Sequence, residues 1–193
     1  MDHSFTRYRL LERHGIPTSP FLAACRAIIP CVEKLGSTAF APVKGDVLGN
    51  IEKIEKAYLI EPDGRHTLQA LVQDELTRKV HTASGSATDA LLWLQRALSF
   101  LCSMLEELAN GNHNMSKAAS NAYNSTLSKH HNWIVRGLFS VVLQSVPEYS
   151  TFIKTLGPAN EHCVLEDMEV YVTALKTQLR ILQSFYADNH LEV

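Results

Sequence analysis

The chain has 193 residues, 46% hydrophobic and 20% charged, an ordinary balance for a globular protein with room for a sizeable core. Its 18 Lys and Arg against 20 Asp and Glu leave a net charge of -2, which gives no electrostatic footprint for nucleic acid and no strongly basic surface for anionic membranes, so that binding to either would need a local patch or apolar insertion. No apolar run reaches the length of a membrane span, and the first residues, MDHSFTRYRLLERHG, lack the apolar stretch of a secretory signal. Cys25, Cys31, Cys102 and Cys163 are scattered and form no C-x-x-C pair. They are expected as buried free thiols, not zinc ligands or disulfides, and the chain is expected in the cytoplasm as a single domain over residues 1–193.

Strand signals are nearly absent, and helical periodicity dominates. Ser19 and Pro20 supply an N-cap and first-turn start, and Pro30 is expected to kink or break the helix that follows before Gly36. The connection STAFAP leads to KGDVLGNIEKI, a helix predicted to stop at Pro62-Asp63-Gly64. Val47, Ile51, Ile54 and Tyr58 form its apolar stripe. Asp46, Asn50 and Lys53 stand four and then three residues apart, within an arc of about 60° bordering that stripe. A solvated helix flank is the plain reading of such a trio. Gly45 and Gly49, in G-x-x-x-G spacing, would let another element approach closely.

A further amphipathic helix is predicted from Thr67 to about Val80, then a small-residue linker from Thr82 to Ser86. Ala87 to Ala109 is apolar on more than one side, so it reads as a central helix closed by Asn110-Gly111-Asn112. Trp93 lies within it and alone reads as a core residue. Ser116–Lys129 and His130–Ser145 are expected as two successive helices or one bent helix, stopped by Pro147. Trp133 falls in a polar stretch, where it suits either half-buried packing or a membrane interface. A short helix from Ser150 to Leu156 precedes Gly157-Pro158, and a long one from Glu161 to Asp188 ends the pattern, apolar at Leu165, Met168, Val172, Leu175, Leu179, Leu182 and Phe185. The predicted class is all-α.

Enzyme signatures are missing: no phosphate-binding G-x-x-x-x-G-K-[ST], no G-x-G-x-x-G after a strand, no H-E-x-x-H and no G-x-S-x-G. No nucleophile and base are nominated, and no metal or cofactor is expected.

The segments GDVLGNIEKI, LLWLQRAL and HHNWIV, in this order and spacing on an all-helical chain, closely resemble the glycolipid transfer protein family. The resemblance runs from TSPFLAACRAI through LGSTAFAPVKGDVLGNIEKI to the final helix. It implies a two-layer helical sandwich enclosing a lipid pocket, and a non-enzymatic carrier that moves one glycosphingolipid between membranes. By position, Asp46, Asn50 and Lys53 are similar to the family's headgroup-binding trio, Trp93 to the plate beneath the first sugar and His131 to the donor for the acyl-amide carbonyl. Asp46 would accept from the lipid amide N–H and a sugar hydroxyl, while Asn50 and Lys53 would bond sugar oxygens and hydroxyls. Leu35, Phe40, Val43, Phe100, Leu127, Phe139 and Phe152 match positions lining the hydrocarbon pocket, and Trp133 matches the membrane-contact tryptophan.

The chemistry fits these assignments. A sugar has an apolar C–H face and a rim of hydroxyls, so it wants an aromatic plate with mixed donors and acceptors. A lipid amide buried unpaired costs about 1–3 kcal/mol per group. Implied partners are galactosylceramide, glucosylceramide or lactosylceramide and, transiently, a membrane surface, with no nucleic acid. The ceramide-1-phosphate branch of the family carries arginine where this chain has Trp93 and Ala97, so its phosphate clamp is absent here. Two alternatives stand beside the carrier: ceramide-1-phosphate transfer, and a glycolipid sensor or interaction module. The family's best-known members place a tyrosine near the carboxyl end, where this chain reads NHLEV.

Overall fold

In the computed structural model, which describes residues 14–36, 38–157 and 160–192, helical periodicity becomes a succession of α-helices. They are α1 Thr18–Ala27, α2 Ile29–Lys34, α3 Ala41–Ile60, α4 Leu68–Thr77, α5 Ala87–Ala109, α6 Met115–Ser125, α7 Trp133–Val142, α8 Tyr149–Leu156 and α9 Glu161–Asp188, with a 3₁₀ turn Ser128–His130 between α6 and α7. The only extended pairing among the described residues is an isolated antiparallel bridge between Pro17 and Thr67. Residues 1–13, Ser37 of STAFAP, Pro158 and Ala159 after Gly157, and Val193 of NHLEV lie outside the described residues.

Most boundaries follow the sequence signals. Pro30 sits in the first turn of α2, where its missing N–H costs nothing, and thereby separates α2 from α1. α1 itself starts at Thr18, one residue before the expected cap. α4 is shorter than predicted because Arg78 closes it and Lys79 turns left-handed at φ 57. The predicted Ser116–Lys129 and His130–Ser145 helices are trimmed and distinctly separate. The 3₁₀ turn intervenes, His131 is extended at φ -100 and ψ 138, and Asn132 starts α7 by accepting from Val135 N–H at 3.0 Å. Gly45 and Gly49 do not mediate close approach, since a Cβ added at either would meet nothing within 4 Å.

The contacts divide the described chain into two compact units, and α3, α5 and α9 each contribute to both. The first holds α1, α3 from Asp46, α4, α5 up to Gln95, and α9 from Thr177. Its chain entry is fixed by Gly15, where φ is +81 and an added Cβ would lie 2.9 Å from Thr67 Cβ, which excludes a side chain. Thr18 N–H donates to His66 O and Leu68 N–H to Ile16 O, both at 2.9 Å, which pins this entry beside the start of α4. Arg65 is buried, yet donates to Ala57 O and, at 2.6 Å, to Asp74 Oδ2, so its charge is paired. Phe21, Leu22, Val47, Ile51, Ile54, Leu71 and Leu94 are among its buried apolar side chains.

The second unit holds α2, the first residues of α3, α5 from Arg96, α6 to α8, and α9 up to Lys176. α2 packs against α8, Ser116 Oγ donates to Leu143 O at 3.1 Å, and Lys176 pairs with Glu106. Along α9 the buried stripe runs through Val164, Met168, Val172, Leu175, Leu179, Leu182 and Tyr186. Its spacings of four and three residues track the helix period, so Val164 and Tyr186 are buried where the sequence reading placed Leu165 and Phe185, which are only half-buried.

Candidate functional site

α3 carries the polar trio, and its geometry is a hydrogen-bonded ladder. Lys53 Nζ donates to Asn50 Oδ1 at 3.5 Å, and Asn50 Nδ2 donates to Asp46 Oδ2 at 3.3 Å. From Asp46 to Lys53 the ladder climbs about 10 Å of helix axis. Asp46 and Lys53 are exposed, whereas Asn50 is only 4% exposed. A buried amide satisfied on both sides by helix neighbours is oriented, not loosely solvated. The ladder thus sets an acceptor at one end, a cation at the other and a fixed amide between them.

Trp93 belongs to the same unit as the trio and lies half-buried on α5 between the buried Leu92 and Leu94. α5 is positioned at its start by two caps. Ser86 Oγ accepts from Asp89 N–H at 3.1 Å, and the buried Glu75 carboxylate accepts from Ala87 N–H and Thr88 N–H at 2.8 and 2.9 Å.

His131 belongs to the second unit. Its Nδ1 lies 3.0 Å from Tyr123 Oη, and its ring meets Phe139 at a centroid distance of 4.9 Å and a tilt of 50°. Tyr123 and Phe139 stack at 4.8 Å with 11° between their planes. Arg136 Nε donates to His131 O at 2.9 Å, which holds the backbone below the ring. Burial raises the Tyr123 phenol above its ordinary pKa, with the Arg136 charge acting the other way. The sequence reading did not include Tyr123. In one continuous helix eight residues would separate the two by about 12 Å along the axis, and only the 3₁₀ turn brings them together.

The seven residues predicted to line a hydrocarbon pocket all fall in the second unit. Leu35, Phe40, Phe100, Leu127 and Phe152 are buried there, while Val43 and Phe139 are half-buried. Trp133 opens α7 and is 81% exposed. Ile134, Leu138 and Val141 are also exposed, and no residue of α7 is buried. Helical spacing places these four on one face, an apolar surface the sequence reading reduced to Trp133 alone. The pattern W-I-x-x-x-L-x-x-V was the available signal.

Among the described residues no helix is long and apolar enough to cross a membrane, and no group of three or more His, Cys, Asp or Glu side chains is placed to hold a metal ion. All four cysteines are free.

The family model described as Glycolipid transfer protein (GLTP) matches residues 16–158. The human pleckstrin homology domain-containing family A member 8 is 41% identical over 200 residues, covering 100% of this chain but 38% of that protein. The chain therefore spans well under half the length of these relatives. A glycolipid transfer protein of Aureobasidium melanogenum is 38% identical over 189 residues, covering 97% of this chain and 91% of its own. A solved structure showing how FAPP2 selects simple glycosphingolipids using the GLTP fold matches with a TM-score of 0.88 at 40% identity, covering 92% of this chain and 88% of that one. Mouse ceramide-1-phosphate transfer protein in its apo form matches at 0.85 and 23% identity, covering 92% and 89%, a likeness of fold alone. The chain has the all-α GLTP fold, and it belongs to the glycolipid transfer protein family.

Proposed function

We propose that the chain is a non-enzymatic intermembrane carrier of one glycosphingolipid. The observation that carries this reading is the Asp46–Asn50–Lys53 ladder, an oriented acceptor, amide and cation along one helix edge. Asp46 accepts from the lipid amide N–H and a sugar hydroxyl, Asn50 bonds sugar hydroxyls, and Lys53 donates to sugar oxygens. Trp93 presents its ring to the C–H face of the first sugar, and His131 donates to the acyl-amide carbonyl. Leu35, Phe40, Val43, Phe100, Leu127, Phe139 and Phe152 surround the hydrocarbon chains.

Burial of each methylene contributes about 0.8 kcal/mol relative to water. The lipid leaves a bilayer that is equally apolar, so the net difference is small, and uptake and release are both accessible. No bond is made or broken in this cycle. The apolar face of α7, with Trp133 at its start, docks the carrier on the bilayer without needing a basic patch. The free thiols suit the reducing cytoplasm, where such a carrier meets membrane surfaces. Residues 1–193 act as one lipid-transfer domain.

The GLTP-fold structure of FAPP2 concerns simple glycosphingolipids, and galactosylceramide, glucosylceramide and lactosylceramide are the corresponding candidates for this chain. Transfer of fluorescent galactosylceramide between vesicles is the test. Transfer no faster than a protein-free control overturns the reading. Competition by ceramide-1-phosphate, without competition by glucosylceramide, replaces it with the phosphate-headgroup alternative, against which Trp93 and Ala97 argue.

A further inference from the structure

We propose that Tyr123 is a positioning residue that holds the His131 ring as an Nε2–H donor, an inference resting on the amide-recognition role given to His131 above. The phenol lies 3.0 Å from Nδ1. Two directions are possible for that hydrogen bond, and they have opposite consequences. A phenol oxygen shares its lone pair with the ring, so the hydroxyl is a better donor than acceptor. The imidazole Nδ1 lone pair lies in the ring plane and accepts well. Donation from Tyr123 Oη therefore leaves Nδ1 without a proton and puts the neutral ring's single N–H on Nε2. Nε2–H can donate to a lipid carbonyl; the other tautomer would turn a lone pair toward it.

The surroundings favour a fixed ring. Phe139 contacts both rings, stacking on Tyr123 at 4.8 Å and tilting against His131 at 4.9 Å, so a ring flip at His131 would have to disturb this trio. Arg136 Nε holds His131 O at 2.9 Å, and His131 N–H closes the 3₁₀ turn on Ser128 O at 3.3 Å. Backbone and ring are thus restrained separately. An ordinary phenol is already protonated at neutral pH, and burial shifts Tyr123 further the same way, so the donor is present wherever the carrier works. Phe139, assigned from sequence to the hydrocarbon pocket, takes on a second task as the plate that aligns donor and acceptor.

The test combines nitrogen NMR of 15N-histidine-labelled protein at neutral pH with galactosylceramide transfer between vesicles. The parent is expected to show His131 as the Nε2–H tautomer, its signals identified by their loss in His131→Ala. Tyr123→Phe keeps the stacked ring and removes only the hydroxyl. It is expected to convert His131 to a mixture of tautomers and to slow transfer about fivefold, the worth of one net hydrogen bond. In a His131→Ala background the same change is expected to cost nothing further. An Nδ1–H tautomer in the parent overturns the proposal without needing any variant to fold. An equal loss from Tyr123→Phe in both backgrounds also overturns it, because the tyrosine would then act only through general stability. If the parent fails to transfer galactosylceramide, the functional reading falls, and the tautomer spectrum still decides the role of Tyr123.

Discussion

Glu75 Oε2 accepts from both the backbone N–H and the hydroxyl of Thr88, at 2.9 and 2.6 Å. The other oxygen accepts from Ala87 N–H at 2.8 Å, so one buried carboxylate from α4 closes the first turn of α5. Its charge faces the positive end of the helix dipole, which offsets the cost of burying it. Glu75→Ala would leave two helix N–H groups and a hydroxyl without this acceptor. Unfolding in urea is expected to show a loss of about 3 kcal/mol, with Glu75→Gln losing less because it keeps one acceptor oxygen. A change below about 0.5 kcal/mol for Glu75→Ala would mean that water replaces the carboxylate.

Recognition and stability should separate at the α3 ladder. Asp46 is exposed, so Asp46→Val is expected to move the thermal midpoint by no more than about 2 °C while abolishing galactosylceramide transfer. Asn50 is buried and hydrogen-bonded to both neighbours. Asn50→Leu, which replaces the amide with an apolar group of similar size, is expected to lose transfer with little or no loss of stability. Trp93→Ala is expected to lose transfer and retain helical circular dichroism. Loss of folding in Asp46→Val and Trp93→Ala alike would assign these residues to structure instead.

The exposed face of α7 gives an experiment at the membrane. Trp133, Ile134, Leu138 and Val141 all project from a helix with no buried residue. Replacing Trp133 with Ala removes apolar area that is in water when the protein is free and in lipid when it is docked. Co-sedimentation with phosphatidylcholine vesicles is expected to fall about tenfold, and urea stability to change by less than about 0.5 kcal/mol. Unchanged sedimentation would move the docking surface elsewhere.

Legibility from sequence followed the range of the interactions. α5 and α9 have the predicted bounds, because Ser86 and Asn110-Gly111 punctuate one and Glu161 opens the other after Gly157. The Asp46–Asn50–Lys53 ladder was legible as shared helix face, since spacing of four and three residues is local. Glu75 and Arg65 were not legible. Each is a charged residue made tolerable inside by partners reached through folding, the start of α5 for Glu75 and Ala57 O with Asp74 for Arg65. The break between α6 and α7 lacked any Gly or Pro, although Asn132 ahead of Trp133-Ile134-Val135 was a cap signal. Tyr123 escaped for the same reason, because its pairing with His131 exists only once the chain turns at Ser128–His130.

Burial pushes the Cys25 thiol from 9.0 to about 12, against the nearby Arg26 charge, and pushes Cys31 to about 11. Cys102 also rises to about 11, chiefly through burial, with Lys176 opposing and Glu106 reinforcing the shift. Tyr149 is raised to about 12 by burial and by its hydrogen bond to Glu161, and Tyr186 is raised well above its ordinary value by burial, Glu75 and Asp89. All of these groups hold their protons more tightly when folded. Above pH 9 the unfolded chain releases thiol protons that the folded chain keeps, so unfolding becomes easier as pH rises, with each such proton contributing a slope of about 1.4 kcal/mol per pH unit. The stabilisation is complete below pH 9 and is lost as pH climbs toward 11 and 12. The urea midpoint is therefore expected to be insensitive to these groups from pH 7 to about 9 and to fall steeply beyond it. Replacing Cys25, Cys31 and Cys102 with Ala should delay the fall to about pH 10, where the unfolded tyrosines begin to ionise. A midpoint that stays level to pH 11 in the parent would show that the thiols are hydrated in the folded protein.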